Sequence, residues 1–164
     1  MPDTREQLES DIRDAQRSRN QEKLDTLRFL KSKIQRAEMD KAEAQFASTG
    51  QVDETPTLDE TGVLEVIARQ VKERRDSIRA FEEGHRDDLV AKEAAELAII
   101  EVYLPPQMGR EELTRIIQGV IQEVGADSPR DKGKVMGRLM PQVRGKADGN
   151  QVNEIVTELL GAGG

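Results

Sequence analysis

Residues 110–124 read REELTRIIQGVIQEV and are followed by Gly125. Leu113, Ile116, Ile117, Val120, Ile121 and Val124 recur three and four apart, which lines one face of an α-helix, and glycine ends such a helix without steric cost. Residues 151–160, QVNEIVTELL, repeat the pattern with Val152, Ile155, Val156, Leu159 and Leu160. Between the two, Ser128 is a suitable N-cap and Pro129 a suitable first helical residue, so a helix is predicted over Pro129–Met140, ended or kinked by Pro141. No stretch of the chain alternates polar and apolar residues as a half-buried strand does. The expected fold is all-α.

The same period continues upstream. A helix is expected over Thr4–Arg19, opened by a Thr4-x-x-Gln7 box and carrying Leu8, Ile12 and Ala15. A longer one is expected over Glu22–Phe46, with Leu24, Leu27, Leu30, Ile34 and Ala37 on one stripe. A third should open at Thr57-x-x-Glu60 and reach Glu83, with Leu64, Ile67, Val71, Ile78 and Phe81 in a stripe that Arg74 interrupts. After Gly84, a fourth begins at Asp87 or Asp88 and bears Leu89, Leu97, Ile100, Tyr103 and Leu104. The polar, aperiodic stretch Ala47–Pro56 reads as a protease-accessible loop. Pro105-Pro106 cannot continue a helix and forces an extended exit. It divides an N-terminal helical, hairpin-like subdomain, residues 1–104, from a three-helix C-terminal subdomain, residues 105–164.

The chain has 164 residues, of which 35% are hydrophobic and 2% aromatic, so its cores must be aliphatic. The net charge of −7 falls wholly in residues 1–104, because residues 105–164 hold eight basic and eight acidic side chains. This balance argues against indiscriminate binding to nucleic acid or to an anionic membrane. The absence of cysteine excludes disulfides, thiolate metal sites and cysteine nucleophiles. With no membrane-length apolar run and a polar start, the chain is expected in the cytoplasm.

Catalytic signatures are missing. Gly145-Lys146 is followed by Ala147, and Met140 stands where a phosphate loop needs its first glycine. The single histidine, His85, sits among Glu82, Glu83, Asp87 and Asp88, a set that could hold a divalent cation but that also suits the acidic start of a helix. Lys72, Arg74, Arg75 and Arg79 are interleaved with acids, as on a solvated, ion-paired helix face. No catalytic residue, cofactor or metal site is expected.

One segment concentrates charge: residues 128–149, SPRDKGKVMGRLMPQVRGKADG, carry six basic and two acidic side chains. At about 100° per residue, Arg130, Lys134 and Arg138 share a narrow arc opposite Val135, Met136 and Leu139. Arg144 and Lys146 extend the set. Gly133 and Gly137 weaken a helix interior and need a reason, either close helix packing or the approach of a phosphate or backbone from outside.

The residues Gly133-Lys134-Val135-Met136-Gly137, Leu139-Met140-Pro141, Gly145-Lys146-Ala147-Asp148-Gly149 and Val152-Asn153-Glu154 closely resemble the C-terminal signature of the GatB/YqeY family. Thr26-Leu27-Arg28, Lys72 to Ile78 and Glu101 to Pro105 resemble it too, so the likeness spans nearly the whole chain. It departs at Ala47–Pro56, a longer loop than the family needs. The resemblance implies a small bacterial protein related to the helical and tail regions of the B subunit of the aminoacyl-tRNA amidotransferase. The family label would be a glutamine-dependent carbon–nitrogen ligase, yet neither that enzyme's ATP- and magnesium-binding body nor its serine-lysine amidase apparatus has a counterpart here. The implied function is an accessory role with tRNA as partner, alongside amidotransferase or tRNA synthetase components, with no membrane and no DNA. The nucleic-acid-binding candidates are Arg130, Lys134, Arg138, Arg144 and Lys146. The alternative is a protein-interaction module built on the two long helices.

Overall fold

The computed structural model describes residues 3–52 and 56–161. Among them the regular structure is entirely helical: α1 (Thr4–Arg17), α2 (Gln21–Thr49), α3 (Glu60–Glu83), α4 (Asp87–Ile100), α5 (Arg110–Val124), α6 (Lys132–Val143) and α7 (Gly149–Gly161), with 3-10 turns at Glu101–Tyr103 and Pro129–Asp131. The chain forms two compact units, residues 1–104 and 105–164.

In the first unit, α1 to α4 close over a core of Leu8, Leu27, Leu30, Ile34, Ile67 and Ile100, none more than 1% exposed. The helix starts differ from the sequence expectation. Asp3 caps α1, accepting from Glu6 N at 2.8 Å while the Glu6 side chain reaches back to Asp3 N, so the capping box lies one residue before Thr4. Asp59 caps α3 through Gly62 N at 2.9 Å. Glu60 is therefore free of the expected box with Thr57, and its carboxylate accepts from the main-chain N–H and hydroxyl of Thr4. A short carboxylate at the cap position satisfies the first amides directly, which leaves the longer glutamate to tie the starts of α1 and α3 together.

α2 runs three residues beyond Phe46, to Thr49, and stops at Gly50 in the left-handed conformation, φ +72°. Ala42, Ala44 and Ala47 favour the helix through this exposed end, so part of the expected loop Ala47–Pro56 is helical. Residues 53–55 of that loop lie outside the described residues. In α3 the buried set is Val63, Ile67, Gln70, Val71 and Arg74. Arg74 thus belongs to the inward face, and Leu64, Ile78 and Phe81 are only half-buried. The turn from α3 to α4 places His85 at φ +56°. Among the described residues no group of three His, Asp or Glu side chains is placed to hold a metal ion. No helix there is long and apolar enough to cross a membrane.

In the second unit, α5, α6 and α7 bury one face each. Leu113 and Ile117 from α5, Val135, Leu139 and Val143 from α6, and Val152 and Val156 from α7 are all 0% exposed. Burying such side chains stabilises by roughly 1.5–3 kcal/mol each, and this aliphatic layer is what holds the unit together. Gly125 closes α5 at φ +67°. Pro129–Asp131 forms a 3-10 turn in place of the first α-turn, and α6 then continues past Met140 to Val143 with Pro141 inside it. Proline removes one donor, the one that would reach the carbonyl of Gly137. So near the end of the helix that loss is tolerated, and Arg144 N closes the last turn on Met140 O at 2.9 Å.

Candidate nucleic-acid interface

The second unit's outer surface is set by α6. Because Val135, Leu139 and Val143 point into the core, Gly133, Lys134, Gly137, Arg138 and Pro141 fall on the solvent side. Lys134 and Arg138 are exposed on α6 as expected, and Arg130 is exposed on the preceding 3-10 turn. A Cβ built on Gly133 or on Gly137 would meet no atom within 4 Å. Helix packing within the chain therefore does not account for either glycine. The face therefore carries no side chain at two positions between its basic residues.

Arg144 and Lys146 follow on the connection to α7, and both are exposed. Gly145 turns that connection at φ +77°, a conformation that favours glycine. The segment before α5 straps the turn in place: Gln107 Nε2 donates to Gly145 O at 3.1 Å, and Met108 N donates to Lys146 O at 2.8 Å. The Lys146 side chain is thus carried on a fixed backbone.

Electrostatics divides the set. Arg138 donates from Nε and Nη2 to Glu123 Oε1 at 3.0 and 2.6 Å, and this carboxylate holds the guanidinium still more firmly protonated than usual. Lys134 Nζ stands 3.9 Å from Asp131 Oδ1. The main-chain N–H of Asp127, more than Lys134 itself, keeps Asp131 below the usual carboxylate range. Lys132, the sixth base of the segment, donates to Thr157 on α7 at 3.1 Å. Sequence reasoning did not find Glu123 as the partner of Arg138. The two are 15 residues apart on different helices, and no local spacing reports such a pair.

The Yqey-like protein family model matches residues 5–160. The chain belongs to the YqeY-like family. Among curated proteins it is similar to the altered inheritance of mitochondria protein 41, mitochondrial, of Pyrenophora tritici-repentis, 28% identical over 158 residues, covering 94% of this chain and 80% of the relative. The protein of the same name from Kluyveromyces lactis is 29% identical over 135 residues, covering 80% of this chain and 66% of the relative. A glutamyl-tRNA(Gln) amidotransferase subunit of Methanocaldococcus jannaschii is 38% identical over 66 residues, 38% of this chain. That match spans only 10% of the archaeal protein's length. The YqeY-like chain therefore shares one segment with an amidotransferase component and nearly its full length with a fungal protein named as mitochondrial.

Proposed function

We propose that this YqeY-like protein is an accessory module that engages tRNA through Arg130, Lys134, Arg138, Arg144 and Lys146 and has no catalysis of its own. The observation that carries the reading is the outer face of α6, where exposed cations flank two glycines whose Cβ positions are open to solvent. The glycines let a phosphate backbone come close to the helix, and the cations beside them meet it without reading sequence. The segment shared with a glutamyl-tRNA(Gln) amidotransferase component supports tRNA as the nucleic acid. No aromatic residue lies in residues 128–149, so a folded RNA surface suits the face better than an unpaired strand. The cytoplasmic, bacterial setting expected from the sequence belongs to this proposal; the two fungal relatives named as mitochondrial set a different compartment for their own chains.

The test is fluorescence anisotropy of labelled tRNA at low salt, with the Lys134→Ala, Arg138→Ala double variant beside the wild type. The variant should keep its helical signal and lower the salt slope by about 1–2, at roughly 0.7–0.9 per lost phosphate contact. Unchanged binding would hand the function to a protein-interaction module. That reading has its own observation, the exposed end of α2, where Met39 and Phe46 are 52% and 60% exposed.

A further inference from the structure

The first unit holds a cavity of about 210 Å³ between α2, α3 and α4. Arg74 lies at its base, on the inward stripe of α3 and only 7% exposed. A buried guanidinium is stable only with close, well-aligned partners, and those of Arg74 are long. Nη1 donates to Gln70 O and Oε1 at 3.4 and 3.3 Å. Nε stands 3.5 Å from Glu96 Oε2, an ion pair by distance that lacks hydrogen-bond alignment, so this nitrogen is buried without a hydrogen bond. The guanidinium carbon lies 5.5 Å from the centroid of the Phe29 ring, which closes one side of the cavity.

The walls carry the opposite need. Glu93 of α4 and Ser77 of α3 line the cavity, and among the described residues neither side chain makes a hydrogen bond or an ion pair. Glu73 accepts from Gln70 Nε2 at 3.1 Å and keeps its other oxygen open. A guanidinium with unused donors thus faces carboxylates with unused acceptors across one small space. An anion alone would be repelled by the glutamates, and a cation alone would leave Arg74 as it is. The volume equals about seven waters at ~30 Å³ each, the size of a free amino acid.

We propose that this cavity binds a small zwitterion of the amino-acid class, its carboxylate on Arg74 and its ammonium on Glu93 and Glu73. A basic side chain on the ligand is favoured, because three glutamates face the one guanidinium. This site lies in the first unit and is independent of the RNA-binding reading of α6.

Calorimetric titration of the full chain with L-lysine tests it, against cadaverine, which lacks the carboxylate, N-acetyl-L-lysinamide, which stands for a lysine within a protein, and acetate. L-lysine should bind saturably, and each of the other three about tenfold more weakly or worse, since a lost charged hydrogen bond leaves its partner unpaired. Glu93→Gln should weaken L-lysine about tenfold with the helical signal unchanged, because Glu93 holds no other residue. Glu112→Gln, on α5 of the second unit, controls for net charge and should leave the affinity as it was. The proposal is overturned by an absence of saturable L-lysine binding to the folded wild type, or by equal affinity in Glu93→Gln. Cadaverine binding as tightly as L-lysine would remove Arg74 from the site, and N-acetyl-L-lysinamide doing so would make the cavity a socket for a partner protein's side chain; either result overturns the zwitterion.

Discussion

Glu123 of α5 takes both Nε and Nη2 of Arg138 on a single carboxylate oxygen, so the third cation of the α6 arc is already engaged from within the fold. To meet a phosphate, Arg138 must exchange this carboxylate for it. Glu123→Gln is therefore expected to tighten tRNA binding, because Arg138 then reaches a phosphate without giving up a charged partner. The melting temperature should hardly move, because the pair is solvated. Anisotropy titrations from low to moderate salt check this; weaker binding in the variant would mean that Glu123 orients Arg138 for the ligand.

Gly133 and Gly137 have helical backbone and open space around them. Gly133→Ala and Gly137→Ala should each stabilise α6, by roughly 0.5–1 kcal/mol, because alanine loses less backbone entropy. On the proposed interface the same added methyl groups stand between backbone and phosphate, so both variants should be more stable in urea unfolding and poorer in tRNA binding. Gains in both measurements would show that nothing approaches this face closely.

Leu139 is fully buried at the centre of the aliphatic layer of the second unit. Leu139→Ala should cost about 2–5 kcal/mol, the transfer of a leucine side chain plus the cavity it leaves. For a unit of this size that is a large share of total stability. Circular dichroism during urea unfolding, with Met136→Ala as a half-buried comparison, measures it.

Tyr103, on the 3-10 turn after α4, donates to Asp11 of α1. Burial first, and the hydrogen bond to Asp11 second, push its hydroxyl well above the usual tyrosine range. The folded state therefore favours the protonated phenol, and the stability this contributes is fully present below the unfolded value near 10.0 and is lost as pH rises beyond it. Tyr103→Phe should be less stable than wild type at pH 7, because Asp11 loses a donor. The gap should narrow as unfolding is measured at increasingly alkaline pH. A constant gap would mean that the hydroxyl does not titrate on unfolding.

Much of this protein is written in local spacing. The i, i+3, i+4 recurrence at Leu113 to Val124 and at Val152 to Leu160 determined both helices and their inward faces, because an amphipathic helix is recorded residue by residue along the chain. The cationic arc of Lys134 and Arg138 was legible for the same reason, being the complement of Val135 and Leu139. Helix starts were less so. Asp3 and Asp59 took the caps expected of the boxes at Thr4 and Thr57, since several residues near a helix start compete and only the folded backbone selects one.

What the tertiary structure decided is what lies across helices. Arg74 broke an apolar stripe in the sequence, and only the approach of α2 and α4 made it the base of a polar cavity with Phe29 and Glu96. Arg138 read as a cation open to phosphate, and only the packing of α5 beside α6 gave it Glu123. The two glycines of α6 were anomalous on paper for want of a neighbour, and the fold supplied none. The physical reason is common to all three: hydrophobic periodicity fixes which way a side chain points, whereas the partner it meets depends on residues distant in sequence, brought near only when the aliphatic faces close.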